Sequence, residues 1–534
     1  MRAEISAGEA LVGLLEDWGV KTIFGIPGVH NVEMYRALPR SGITHILPRH
    51  EQGAGFMADG YARATGKPGT CFTITGPGLL NILTPLGQAW SDSSPVFVMS
   101  TTLDITDGVQ GRGRLHEMLS QRNAAASVTA HHWLAATPAD MQDAVASAFA
   151  IMQSQRPRPC YLELPLDLLQ QPAGDGWKAR GLPGKPQPDA TQAKAAATLL
   201  ASAKNPILLF GGGAVDASVQ ARAIMERTGA IALTTVAGKG IVPSSHPLCL
   251  GSRMPQQRVR RLLQKADVIL AVGTEISETD LWELAIQIPG KIIRVDVDPA
   301  SLAKPHTSTI AMLSDAAPAL QMILDHLPAM DVSARTQSNA KFVADHIANE
   351  TQNEDDLRKD LRRILSVLRQ ALPPDTIIAS DMTQIAYAGN EIFPMEHPRC
   401  WIHPVGFGTL GFALPAAIGA KAGLPQRPVV AMLGDYGFQY TVNELGTAAE
   451  LKQSLPVLLW NNDALGQIRD DMVNKAIEPN AVTLINPDFQ SLARAYGCLA
   501  EKPATLAELG PAITRAFAAG KPTLIEMTPR MLRG

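Results

Sequence analysis

Short apolar runs recur along the whole chain at intervals of about one helix, and nothing else constrains the fold as strongly. Examples are "THILP" (44–48), "GTCFTIT" (69–75), "NPILLF" (205–210), "DVILAV" (267–272), "KIIRVDVD" (291–298), "DTIIAS" (375–380), "PVVAML" (428–433) and "LPVLLW" (455–460). Strands that are apolar at nearly every position are buried on both faces, and helix-length segments between them supply the cover. The expectation is an α/β protein of doubly wound parallel sheets. A chain of 534 residues divides into about three such units. "QQPAGDGWKARGLPGKPQPDA" (170–190) is rich in Gly and Pro, and "MDVSARTQSNAKFVADHIANE" (330–350) is polar and partly helical in pattern. Taking both as linkers gives domains over 1–170, 190–330 and 355–534.

A net charge of −3 gives no electrostatic reason to bind nucleic acid or an anionic membrane. Cys71, Cys160, Cys249, Cys400 and Cys498 are scattered without metal-ligand spacing, which reads as reduced thiols in a cytoplasmic protein. The opening "MRAEISAGEALVGLLEDWGV" is acidic and amphipathic and lacks the order of a signal peptide. The long uncharged stretch "HPVGFGTLGFALPAAIGA" (403–420) is interrupted by Pro404, Pro415 and glycines, and reads as buried backbone beside a ligand rather than a membrane span.

"VVAMLGDYGFQYTVNELGTAAELKQSLPVLLWNNDALG" (429–466) places Asp435 and Asn462 at the carboxyl ends of two strands, 27 positions apart, one strand-helix-strand repeat. Ligands of open α/β sheets sit at those ends. A carboxylate, an amide oxygen and a nearby carbonyl are hard donors that suit Mg²⁺, which completes its octahedron with phosphate oxygens and water. Either residue alone reads as a helix cap; the pair at this spacing favours the metal. Glu51, in "ILPRHEQGAGFMADGYARATGKPG" (46–69), follows a strand and opens a helix. By itself it is equally a dipole-complementing glutamate.

Gly434-Asp435-Tyr436-Gly437 through Asn461-Asn462 resembles the thiamine diphosphate motif, and "RHEQGAGFMADGYAR" (49–63) and "TGPGLLN" (75–81) resemble its pyrimidine-side counterparts. Over its whole length the chain is similar to the thiamine diphosphate-dependent 2-oxoacid decarboxylase and acetolactate synthase superfamily. The resemblance implies that Asp435, Asn462 and the Ala464 carbonyl hold Mg²⁺ on the cofactor's diphosphate. Glu51 falls on the glutamate that activates the aminopyrimidine. Leu410 falls on the apolar residue under the thiazolium, Gly408 on the carbonyl accepting from the 4′-amino group, and Gln384 on a diphosphate contact. Gly28, Asn81, Gly434, Gly437, Gly466 and Gln467 complete the implied cofactor contacts. Tyr436 departs from the commonest glycine, while Gly437 still permits close backbone approach. The family's active sites form between subunits, which implies a homodimer or homotetramer. "FGGGA" (210–214) is a weak dinucleotide signal, and "AVGTEISETD" (271–280) lacks the family's flavin-site pattern, so FAD is not expected.

His116, in "GRGRLHEMLSQ" (111–121), stands where acetolactate synthases carry glutamine. Histidine is the natural proton shuttle near neutral pH, which favours decarboxylation ending in protonation. His30, in "GIPGVHNVE" (25–33), is a second candidate, although Val29 replaces the aspartate of simple pyruvate decarboxylases. In "ALGQIRDDM" (464–472), Gln467, Asp470 and Asp471 replace an apolar pocket wall. Carboxylates there would favour a guanidinium tail, and these stretches together resemble the family's 5-guanidino-2-oxopentanoate decarboxylases. An acetolactate synthase-like carboligase is the alternative. A non-catalytic α/β protein that binds a nucleotide or partner is the alternative of another class.

Overall fold

All eight apolar runs become strands in the computed structural model, which describes residues 5–105, 111–283, 286–303 and 306–533. The first sheet contains β1 (Thr22–Gly25), β2 (Thr44–Ile46), β3 (Gly69–Thr73), β4 (Val96–Thr102), β5 (His131–Leu134) and β6 (Cys160–Pro165). The second contains β7 (Pro206–Phe210), β8 (Ile231–Thr234), β9 (Cys249–Gly251), β10 (Val268–Val272), β11 (Lys291–Asp296) and β12 (Ile310–Leu313). The third contains β13 (Ile377–Ser380), β14 (Trp401–Ile402), β15 (Val429–Gly434), β16 (Leu455–Trp460), β17 (Leu499–Glu501) and β18 (Pro522–Met527).

Every pairing between these strands is parallel. The outer sheets share one order, β2-β1-β3-β4-β6-β5 and β14-β13-β15-β16-β18-β17. The middle sheet runs β12-β11-β10-β7-β8-β9, the order of doubly wound dinucleotide folds. In both outer sheets the chain reverses direction of growth between the first and third strands. Crevices at the carboxyl ends of β1/β3 and β13/β15 are therefore the places the topology reserves for a ligand.

The helices of interest are α1 (Glu51–Thr65), α2 (Pro77–Ser91), α3 (Ser333–Gln352), α4 (Gln384–Ile392), α5 (Ala413–Gly423), α6 (Asp435–Tyr440), α7 (Glu444–Glu450) and α8 (Gly466–Asn474); all but α3, which packs on the middle domain, lie towards those crevices. Two differ from the sequence reading. The polar stretch 330–350 is one 20-residue helix, α3, its inner face pinned by Val343 and His346. Its Ala, Gln, Lys and Glu content is good helix material despite the polarity. The interval between β15 and β16 holds two short helices, α6 and α7, because the chain turns helical at Asp435 itself.

The outer sheets share one hydrophobic core, joined by α1 against α5. A Cβ on Gly60 would lie 2.1 Å from the Ala416 carbonyl oxygen, and one on Gly419 would lie 1.8 Å from that of Met57. Only glycine allows the two backbones to approach this closely. All five cysteines are free and buried. Among the described residues no helix is long and apolar enough to cross a membrane.

Candidate active site

At the carboxyl end of the first sheet, α1 begins at Glu51, and the His50 Nδ1 caps it by accepting from the Gln52 N–H. A second acid fixes this start from the other outer domain. The buried Glu444 carboxylate of α7 accepts the N–H groups of Arg49 (3.0 Å) and His50 (3.1 Å). Glu51 is itself buried, and its Oε2 accepts from the Asn81 amide of α2 at 2.9 Å. A Cβ on Gly78 would meet the other Glu51 oxygen at 3.4 Å, so the first turn of α2 comes against the carboxylate.

Two further loops reach the same end. The loop after β1 is closed by the Gly28 N–H donating to the Asn31 Oδ1 at 2.7 Å. The loop after β4 brings His116 edge-to-face against His30, ring centroids 4.9 Å apart. His116 holds a left-handed φ of 62°, and its carbonyl oxygen would lie 2.6 Å from a Cβ on Gly76. Burial, helped by the His116 ring and Arg114, pushes His30 below the ordinary histidine range. Its buried Nδ1 has no hydrogen-bond partner among the described residues. Glu51, Asn81, Gly28, His30 and His116 are thus gathered at one end of one sheet.

The third sheet carries the oxygen donors. Asp435 opens α6 directly after β15, with Oδ1 accepting from the Tyr436 N–H at 2.9 Å and Oδ2 from the Asn486 amide at 2.8 Å. Burial raises its pKa, and neighbouring Asp463 adds to the rise. The Asn462 Nδ2 donates to the Gln384 Oε1 at 3.1 Å. Ala464 bridges Thr483 through flanking bonds, Leu465 N–H to Val482 and Leu484 N–H to Asp463, so its own carbonyl is left out of the ladder. A Cβ on Gly466 would lie 2.7 Å from the Gln384 Oε1, and one on Gly434 would lie 2.8 Å from the Thr383 Oγ1. Gly437 packs on the Asp381 carboxylate. Half-buried Tyr436 turns its ring edge-to-face towards Tyr440.

Gly408, with φ of 68°, and half-buried Leu410 lie on the turn before α5. The buried Asp381 carboxylate, pushed up to about 6 by burial, accepts from the Gly411 N–H (3.2 Å) and the Ala413 N–H (3.1 Å) of that turn. On α8 the acidic pair divides. Asp470 is tied back to α4, accepting from the Gln384 Nε2 at 3.0 Å, and pairs with Arg469. Asp471 is half-buried and accepts from exposed Gln467 at 3.3 Å.

Three residues of this end were not singled out from the sequence. Asn486 donates its amide to Asp435, Asn461 (3.1 Å) and Asp463 (3.0 Å) from a loop with no local signal. Glu444 read simply as part of a helix. Asp381 carried a signal that could have been used, because it ends β13 as Asp435 ends β15.

The donors fit a divalent cation on diphosphate. Asp435 is a buried carboxylate in no ion pair among the described residues, next to an unclaimed Asn462 Oδ1 and the Ala464 carbonyl. Such a set would hold Mg²⁺, which prefers few carboxylates and phosphate oxygens.

A separate cavity of about 960 Å³ opens where the three domains meet, lined by Gly211, Gly213, Arg156, Asp296 and Trp401 among others. The "FGGGA" glycines have a packing reason of their own there. A Cβ on Gly211 would lie 2.2 Å from the Gly273 carbonyl, and one on Gly213 would lie 2.8 Å from the Gly273 Cα.

Family models match a stretch of each of the three domains. The thiamine pyrophosphate enzyme N-terminal TPP-binding domain matches residues 5–124, the central domain 193–323 and the C-terminal TPP-binding domain 381–527. The chain belongs to the thiamine pyrophosphate enzyme family. Membership brings thiamine diphosphate as cofactor and 2-oxoacid decarboxylation as reaction class. The chain is 46% identical over 528 residues to the probable 2-ketoarginine decarboxylase AruI of Pseudomonas aeruginosa strain PAO1, covering 98% of this chain and 94% of that protein. It is 32% identical over 537 residues to the acetolactate synthase large subunit of Corynebacterium glutamicum, covering 96% and 84%. The acetolactate synthase isozyme 3 large subunit of Escherichia coli K12 is 31% identical over 517 residues, covering 92% and 89%.

Proposed function

We propose that this thiamine diphosphate-dependent 2-oxoacid decarboxylase acts with Mg²⁺ on 5-guanidino-2-oxopentanoate, also called 2-ketoarginine, giving 4-guanidinobutanal and CO₂. The observation that carries the substrate is Asp471. It is a half-buried carboxylate in no ion pair among the described residues, on a helix that starts at the cation-binding turn. A guanidinium would supply the missing charge. The name of the 46%-identical relative supports the same substrate.

Bound thiamine diphosphate would supply a carbon nucleophile for the keto carbon and an acceptor for the electron pair released with CO₂. The chain's part is placement and proton handling. Asp435, Asn462 and Ala464 would hold the cation, with Gln384, Gly434, Gly437 and Gly466 shaping the diphosphate seat. Glu51, oriented by Asn81, would hold the pyrimidine proton, and the Gly408 carbonyl would accept from its amino group. Leu410 would support the thiazolium ring. His30 and His116 would return the proton that replaces CO₂, which favours decarboxylation over carboligation.

The sites are proposed to be shared in a homodimer or homotetramer. No hydrogen bond or ion pair among the described residues joins the Glu51 cluster to the Asp435–Asn462 cluster. Exposed apolar side chains rim both, Val29, Leu115 and Leu119 on one side and Ile468, Val473 and Ile485 on the other. Five reduced thiols suit the cytoplasm.

The test is a panel of 2-oxoacids with thiamine diphosphate and Mg²⁺, products identified by mass. Asp471→Asn should then lower the kcat/KM ratio of 5-guanidino-2-oxopentanoate over 2-oxohexanoate by at least about tenfold, because unpairing a buried charge costs about 2–5 kcal/mol. A solvent-facing carboxylate is worth about 0–1 kcal/mol, and the ratio would barely move. A wild-type preference for pyruvate, or a 2-hydroxyketone product, would remove this substrate reading.

A further inference from the structure

The turn 405–413 is held through its N–H groups by three side chains, and two of them come from the first domain. Asp92, just after α2, accepts from the Val405 N–H (3.0 Å) and the Gly406 N–H (2.7 Å). Gln88 of α2 accepts with one oxygen from both the N–H (3.2 Å) and the hydroxyl (2.8 Å) of Thr409. Asp381 takes the Gly411 and Ala413 N–H groups from the other side. Among the described residues no hydrogen bond reaches the Gly408 carbonyl. The turn is thus clasped on both sides of Gly408 while that one acceptor is left free. Its left-handed φ of 68° is a conformation that side-chain-bearing residues resist.

Gln88 has no freedom of its own. It is fully buried, and its Nε2 donates to the Asp92 Oδ2 at 2.6 Å. Asp92 is in turn paired with Arg63 at 2.9 Å, and Arg63 with buried Asp59 at 2.7 Å. Arg63 also donates to the His403 carbonyl at 2.9 Å. The amide orientation is therefore set at both ends, with oxygen on the turn and nitrogen on the carboxylate. Two turns of helix away on α2, Asn81 holds Glu51. Seven residues of helix separate Asn81 and Gln88 by about 10 Å.

We infer that Gln88 is a positioning residue for the cofactor's aminopyrimidine. It sets the height of the Gly408 carbonyl and the Leu410 side chain through Thr409, and touches neither substrate nor cofactor. The inference rests on the proposed roles of Gly408 and Leu410. A hydrogen-bond acceptor displaced by about 1 Å from a reacting group can cost on the order of 10²-fold in rate. Simple domain glue would act on stability alone.

The test uses Gln88→Leu in the full-length holoenzyme, with Thr409→Val and Thr409→Ser as milder variants. Expected for Gln88→Leu is a loss of at least about tenfold in C2 hydrogen–deuterium exchange at saturating cofactor, with thiamine diphosphate affinity by calorimetry within about threefold. The circular-dichroism signature of the bound cofactor's imino tautomer should weaken in parallel. In the cofactor-free protein, amides of 405–413 should exchange faster with solvent. Thr409→Val should reproduce part of the loss, and Thr409→Ser, which keeps the hydroxyl, should restore it. Unchanged C2 exchange and tautomer signal in Gln88→Leu and Thr409→Val, with only a lower melting temperature, would overturn the inference. Should Gln88→Leu not fold, Thr409→Val against Thr409→Ser decides alone. Leu410→Ala separates the two ideas. If it leaves exchange unaltered, the reading of the turn has failed; if it alone abolishes exchange, only the role of Gln88 has.

Discussion

The first and third sheets share strand order and parallel pairing, and each presents loops at the carboxyl ends of its first and third strands. Their chemistry differs completely. The first sheet gathers groups that give and take protons, Glu51, His30 and His116, beside one amide. The third gathers oxygen donors whose lone pairs could hold a cation, Asp435, Asn462 and a carbonyl. One topology serves both because its strand ends fix positions without dictating side chains. The proposed function puts proton chemistry on one sheet and the diphosphate on the other, so the two can be perturbed separately.

The largest expected break is at the third sheet. Asp435→Ala should weaken Mg²⁺-dependent thiamine diphosphate binding by more than about 100-fold, since losing only an outer partner of a metal ligand costs about 10–100-fold. Calorimetry with and without Mg²⁺ reads this directly, and unchanged affinity would refute the metal assignment. Glu51→Gln on the first sheet should do the opposite. Cofactor stays bound while kcat falls by about 10²–10⁴, the range for a positioned acid–base group. Near-normal C2 hydrogen exchange in that variant would merge the two sheets' roles and defeat the comparison.

The smallest effect is in pH. Burial, His116 and Arg114 hold His30 below its ordinary value of 6.5, so it is neutral near pH 7 and gains a proton only below 6.5. If His30 donates the proton that replaces CO₂, the charged ring is the working form, and kcat declines as pH rises through its lowered pKa, by no more than about tenfold per pH unit for one proton. His30→Gln should remove that decline. Cofactor affinity, which the proposed function assigns to the third sheet, should not follow the same curve.

The α/β class and the strands were legible because buried parallel strands are apolar at successive positions. The positions of Asp435, Asn462 and Glu51 at strand ends were legible because each comes within about three residues of the end of such a run. The contributions of Gln88, Asp92 and Glu444 were not. Each lies in a helix or just after one, and acts on a segment hundreds of positions away, Gln88 on Thr409 and Glu444 on Arg49. No periodicity records such a pairing. The region 330–350 read as only partly helical for a different reason, because polarity marks exposure and a helix can be exposed along most of its face. Asp470 and Asp471 are neighbours in sequence yet face different partners, since adjacent helix positions diverge by about 100°.

The glycine contacts between α1 and α5 make the outer sheets inseparable in unfolding. Their shared core means that neither domain has a complete interior without the other, although the whole middle domain lies between them in the chain. A fragment ending before the third sheet would leave the Gly60 face of α1 bare, a groove cut to the shape of a missing backbone. The two outer domains should therefore melt as one calorimetric unit, and the middle domain, with interior clusters of its own, is the part free to melt apart.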